Sequence, residues 1–201
     1  MKINSIEALR ELYDLPKGRA KDKVLTVLEK HAIHFIKNAP FLVMSTYSKL
    51  GQVDASPRGG HSGFVSIVNE SKLIIPDAIG NNRLDSITNI IETGRIGLLF
   101  LIPGINETLR LNGSAYLSTH ADYLQLFSSE MHTPKACIVV TVEEVFLHCA
   151  KAFMRSKLWD PSLFVDRNTF PSMGKMLKDQ LGMAGDPETR AAMEKRYLLD
   201  L

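Results

Sequence analysis

The spacing of apolar residues changes twice along the chain. Over the first forty positions they recur every three or four residues, the period of a helix face. From position 41 to about 149 they fall into short runs and alternations, the period of strands, and beyond 150 the helical spacing returns. Asn4 or Ser5 can cap a short helix with Ile6, Leu9, Leu12 and Tyr13 on one side, broken by Leu15-Pro16-Lys17-Gly18. A longer helix is predicted over residues 19–38, with Val24, Leu25, Leu28, Ala32, Phe35 and Ile36 on one face. Asn38-Ala39-Pro40 ends it, because a residue before proline avoids the helical region.

The strand region opens with residues 41–48, turned by Lys49-Leu50-Gly51-Gln52 and answered by an antiparallel run at 53–57. Runs at 63–68 and 72–76, separated by Asn69-Glu70-Ser71, predict a second hairpin. A helix follows over 82–93, with Asn81 or Asn82 as N-cap and Gly94 as stop. Residues 95–102 are almost wholly apolar, which predicts a strand buried on both faces. Residues 107–118 alternate instead: Leu109, Leu111, Gly113, Ala115 and Leu117 share one side, and Arg110, Asn112, Ser114 and Tyr116 the other. A short helix at 121–127 and a long strand at 136–149 complete six or seven strands, a number that points to a barrel or a sandwich. Residues 151–159 are basic and partly helical up to Asp160-Pro161, and helices are predicted over 172–181 and 187–198. The fold class is mainly β with flanking helices (α+β), in a single domain: N-terminal helices over 1–39, a β body over 40–150, a helical tail over 151–201.

Composition narrows the function without naming it. The 201 residues are 45% hydrophobic and 23% charged, ordinary globular values, with a net charge of +2. So small an excess, without interleaved aromatic and basic residues, argues against nucleic acid as a partner. Two cysteines, Cys137 and Cys149, make neither a disulfide framework nor a zinc site and read as small buried side chains. No apolar run reaches the length of a membrane span, and the N-terminus has no apolar signal core, so a cytoplasmic protein with no membrane partner is expected. His31 and His34 lack further ligands at metal spacing and read as solvated or packing histidines. Glu143 and Glu144, neighbours on a strand, should point to opposite faces. No nucleophile motif is visible.

The remaining chemistry is anion binding. Ser56-Pro57-Arg58-Gly59-Gly60 places an arginine at a strand end, and Gly80-Asn81-Asn82-Arg83 places another at a helix start. Free backbone N–H groups and the helix dipole favour a phosphate there. Arg110 and Asn112 share a polar strand face, and Lys151 and Arg155 stand four apart before Trp159.

The order of these motifs resembles the pyridoxamine 5'-phosphate oxidase-like, FMN-binding split-barrel superfamily, and within it a branch of uncharacterised FMN-binding proteins. The resemblance rests on Ala55-Ser56-Pro57-Arg58-Gly59-Gly60, Leu73-Ile74-Ile75-Pro76-Asp77, Gly80-Asn81-Asn82-Arg83-Leu84-Asp85-Ser86 and Leu109-Arg110-Leu111-Asn112-Gly113. It rests too on the 151–159 segment and Ser172-Met173-Gly174-Lys175-Met176-Leu177. It implies a six-stranded antiparallel split β-barrel, a homodimer with FMN between subunits, and an FMN-dependent oxidoreductase acting on a small molecule. It assigns the phosphate to Arg58 and to Asn82 with Arg83, next to Asn81. The flavin ring would lie along the backbone of Ile75, Pro76 and Asp77, and a later strand would supply Arg110 and Asn112. Lys151, Arg155 and Trp159 would close the site from the C-terminal side. The arginine-and-histidine substrate motif of true pyridoxamine phosphate oxidases is incomplete: Arg167 follows Trp159, but no histidine does. The substrate is therefore open. The alternative is a non-catalytic protein of the same fold holding a flavin, a deazaflavin or a haem, the last calling on His61, His132 or His148.

Overall fold

The computed structural model describes residues 2–129 and 132–200. Seven strands form one antiparallel sheet: β1 (Phe41–Tyr47), β2 (Val53–Gly59), β3 (Ser66–Asn69), β4 (Lys72–Pro76), β5 (Arg95–Leu101), β6 (Thr108–Ser118) and β7 (Cys137–His148). Their spatial order is β2-β1-β5-β6-β7-β4-β3, so the two edge strands are consecutive in the chain and joined by residues 60–65. The strand-rich body and flanking helices agree with the pattern reading.

One face of the sheet carries the core. Leu42 and Met44 of β1, Ile96, Leu98 and Phe100 of β5, Leu109 and Leu111 of β6, and Ile138 and Val140 of β7 point to that face. Of the two sides that alternate along β6, the one with Leu109, Leu111, Gly113 and Ala115 is buried. Helix α3 (Lys30–Asn38) adds Ala32, Phe35 and Ile36, and α4 (Asp85–Thr93) adds Ile87 and Ile90. On the other face, α5 (Ala121–Gln125) and Phe127 cover Ile74 and Cys137 in a smaller cluster. Cys137 is buried as expected, whereas Cys149, one residue past β7, is exposed. β5 is not buried on both sides: its burial alternates, and Gly97, Leu99 and Leu101 stand half-exposed on the outer face.

The helix predicted over 19–38 is two helices, α2 (Arg19–Asp22) and α3, parted by an extended stretch. Leu25 exchanges backbone hydrogen bonds with Val145 in both directions, at 3.0 and 2.8 Å, and Leu28 donates its N–H to the Glu70 carbonyl at 2.7 Å. The apolar positions there follow β7 rather than a helix face. Glu29 then starts α3, its carboxylate accepting from the N–H groups of His31 and Ala32, both at 2.8 Å. The helix predicted from 82 begins at Asp85 behind Leu84, because Asn81 spends its side chain on the Arg83 N–H (3.0 Å) and Asn82 is left-handed at φ 59°. Gly94, left-handed at φ 66°, is the stop.

Glu143 and Glu144 do not point to opposite faces. The register between β6 and β7 shifts at Asn112/Gly113, which puts both carboxylates on the outer face between buried Val142 and Val145. There Arg95 grips Glu143 through two bonds of 3.0 and 2.8 Å, and Asn112 donates to Glu144 at 2.8 Å. A Cβ on Gly113 would lie 2.0 Å from the Thr141 carbonyl oxygen, so only glycine fits opposite this bulge.

The N-terminal helix α1 (Ile6–Leu12), capped by Ser5, buries none of its residues. The tail runs through α6 (Lys151–Ser156), two short 3-10 turns, α7 (Met173–Leu181) and α8 (Arg190–Tyr197). α7 and α8 form a hairpin. A Cβ on Gly174 would meet the Glu188 carbonyl oxygen at 2.3 Å, and Glu188 takes two bonds from Arg196 at 3.2 and 3.0 Å. Among the described residues no helix is long and apolar enough to cross a membrane.

Candidate functional site

The two arginines of the anion motifs come together. A cleft of about 640 Å³ is bounded by the end of β2 (Pro57, Arg58, Gly59), by residues 76–84 and by Ile87 at the start of α4. Phe64 and residues 132–135 close it. Its size suits an organic cofactor. Of the predicted site residues, Arg58, Pro76, Asp77, Asn81, Asn82 and Arg83 line it.

β2 aims Arg58 inward because it alternates with Asp54 and Ser56 on the side that faces α4. A polar chain ties the two elements. Arg58 Nη2 donates to Ser86 Oγ at 3.3 Å, Ser86 donates to Asp54 Oδ2 at 2.5 Å, and Ser56 donates to the same oxygen at 2.9 Å. The Asp54 carboxylate is thus occupied by two hydroxyls, and Arg58, whose Nη1 also donates to the Pro57 carbonyl at 2.8 Å, keeps its remaining N–H groups for the cleft. Arg83 is set by Asp85, which accepts from Nε at 2.6 Å and holds the guanidinium further above its ordinary pKa. Its Nη groups have no partner among the described residues. Leu84 offers no side-chain acceptor to the first N–H groups of α4, which stand at the same end of the cleft.

The opposite wall is backbone. β3 stops pairing with β4 at Ile74, so the β4 edge at residues 75–77 has no strand partner on that side, while Asp77 N–H donates to the Ala136 carbonyl at 3.0 Å on the other. Ile75 itself turns its side chain into the core and could meet a ligand only through its backbone. Burial pushes the Asp77 carboxyl above its ordinary value, with Arg58 and Lys135 pulling the other way.

Other predicted residues lie elsewhere in the single chain. Arg110 and Asn112 stand on the outer face of β6, Arg110 over the Phe146 ring at 5.4 Å and Asn112 on Glu144. Lys151 and Arg155 are exposed on α6. Trp159 stacks on Phe153 and donates Nε1–H to the Ile105 carbonyl at 2.9 Å. None of these five lines the cleft.

Phe64, Ile79, Ile87 and residues 133–135 belong to the cleft without having been singled out in the sequence. Lys135 arrives because β4 pairs with β7, a contact between distant segments; its one local signal is Thr133-Pro134-Lys135 just before a long strand. Of the three histidines, His132 lines the cleft, His61 is exposed in the β2–β3 link, and His148 lies on the outer face against Phe146. Burial, Lys23 and Arg110 hold His148 below its ordinary pKa. The described residues hold no cluster of three or more His, Cys, Asp or Glu side chains fit for a metal.

The chain is similar in fold to HupZ from Group A Streptococcus: 18% identity, TM-score 0.50, 60% of this chain and 93% of that one. A histidine-to-alanine variant of HupZ gives the same identity and TM-score over 98% of its chain. An FMN-binding protein from Syntrophomonas wolfei subsp. wolfei aligns at 13% identity and TM-score 0.41, over 58% of this chain and 88% of that one. No curated protein matches. Residues 28–149, from the Leu28 anchor to just past β7, match the pyridoxamine 5'-phosphate oxidase family. The chain belongs to the pyridoxamine 5'-phosphate oxidase family.

Proposed function

We propose that this protein binds FMN in the cleft and is an FMN-dependent oxidoreductase acting on a small molecule. The observation that carries this reading is the convergence of Arg58, the Asn81-Asn82-Arg83 turn and the open β4 edge on one cleft. A flavin needs the same three things: a cationic clamp, polar backbone and an apolar wall. The phosphate, with about two negative charges, would take the remaining N–H groups of Arg58 and Arg83 and the uncapped N–H groups of α4. The ring would lie along residues 75–77, with Phe64, Pro76 and Ile79 as apolar neighbours. FMN, when bound, supplies the electron-transfer chemistry; the protein sets its position, access and local charge. Asp77, partly buried beside Arg58 and Lys135, is the ionisable group nearest that wall and would hold a proton there more readily than an exposed aspartate.

The site as expected from the resemblance is completed in a cytoplasmic homodimer. A flat sheet of this order would part its edges by about 29 Å, six spacings. The seven residue steps from β2 to β3 span at most about 25 Å. In this reading the sheet curls as a split barrel does, and its outer face meets a second copy. That face presents Arg110, Asn112, Tyr47 and Tyr116, while Lys151, Arg155 and Trp159 would approach the cleft from the partner.

Purified protein should be yellow, or turn yellow with added FMN, and release FMN on denaturation. A colourless protein that takes up none sinks the reading. Arg83→Ala should weaken FMN retention more than Lys151→Ala; equal retention would move the phosphate elsewhere. Anaerobic bleaching by NADH or NADPH would show an oxidoreductase, and a bound flavin that neither reduces would favour a carrier.

A further inference from the structure

The clamp has a second side. Arg58, Asn81 and Arg83 also line a neighbouring depression, whose other walls are Asp54 and Asp85 and, from the far end of the chain, Arg196, Tyr197 and Asp200. The C-terminal segment is ordered by contacts within the tail and is tied to the cleft by one contact, at His132. Arg196 is fixed by its two bonds to Glu188 and lies 4.9 Å over the Tyr197 ring. Past the helix, the Leu199 carbonyl meets His132 Nε2 at 3.2 Å, and His132 is itself a residue of the cleft. One short segment thus touches both compartments and brings an aromatic ring and a carboxylate to the rim of the clamp.

We propose that residues 196–200 are the outer wall of the phosphate end of the site, and that Tyr197 and Asp200 set how long a phosphate-bearing ligand is kept. The proposal rests on the assignment of Arg58 and Arg83 to a phosphate. Tyr197 acts as a positioning residue: its ring, braced by Arg196, shields the clamp from water, and lower dielectric strengthens each guanidinium–phosphate bond. Asp200 acts in the opposite sense. A carboxylate beside the clamp repels a phosphate, so the wall is tuned for release as well as retention. The Arg83–Asp85 and Asp54–serine contacts leave Asp200 as the rim carboxylate with no side-chain partner among the described residues.

The test measures dissociation of FMN and of riboflavin, which lacks the phosphate, from wild type, Tyr197→Ala and Asp200→Asn, with Arg83→Ala as reference. All three positions are exposed, so folding should survive. Tyr197→Ala is expected to release FMN about tenfold faster. Asp200→Asn should release it about threefold more slowly, the size of one screened unit charge, and leave riboflavin unchanged. The proposal fails if both variants release FMN within about twofold of wild type. It fails too if Asp200→Asn shifts both flavins alike. A loss of FMN in Arg83→Ala alongside wild-type release from the tail variants would overturn the wall and leave the clamp standing. A wild type that takes up no FMN would overturn both.

Discussion

Gly113 and Asp77 show what single positions carry. Gly113 sits where the Thr141 carbonyl passes too close for any Cβ. Gly113→Ala should cost about 3 kcal/mol or more, read as a lower urea midpoint, since backbone must move to make room. An unchanged midpoint would mean that the register shift is absent. Asp77 is a matter of protons. Burial raises its carboxyl in the folded chain, while the unfolded chain titrates near the ordinary 3.8. A raised acid adds stability that is complete below the ordinary value and is lost as pH rises through the raised one. Asp77→Asn has no such dependence, so the variant should gain on wild type as pH is taken from about 3.5 to 7. A difference that stays flat across that range would place the carboxylate in solvent. Arg58 and Arg83 were legible as single residues because each sits in a turn motif of glycine, proline or asparagine. Lys135 was not, because its claim to the cleft depends on β7 lying beside β4.

At the scale of elements, strands and some helix ends could be read, while departures from regularity could not. Apolar runs and alternations located all seven strands, and Ser5 and Gly94 marked helix ends where expected. The break between α2 and α3 escaped because Val24, Leu25 and Leu28 fit a helix face as well as an extended strip. Only the bridge to Val145 decides between them. The bulge in β7 escaped for the same reason: two adjacent glutamates look alternating until a partner strand shifts register. The start of α3 gives a measurable consequence. Glu29→Ala removes both cap bonds and should cost about 1 kcal/mol. In a chain of this size that lowers the melting temperature by about 2–4 °C. No shift would show that α3 is held by its core face alone.

For the whole molecule, the pattern gave a strand-rich body between helical ends but not the order of its strands. That order joins residues 58, 83 and 135, and it is set by which apolar faces pair. The outer face of β5, β6 and β7 keeps Tyr116 and Leu99 in partial exposure around the Arg95–Glu143 pair. If two copies meet there, sedimentation equilibrium should give twice the chain mass, and a reversed charge in Glu143→Arg, set against Arg95, should shift it toward the monomer. A wild-type chain sedimenting as a monomer would sink the dimer. The sheet margins bear on how such copies can meet. β2 carries Pro57, which has no N–H to lend, together with Asp54 and Arg58; β3 is four residues long and slips register after Ile67. Both margins are therefore poor templates for an incoming strand. Growth by β-augmentation at these two margins is thereby disfavoured, so copies that associate would do so through faces rather than through the ends of the sheet.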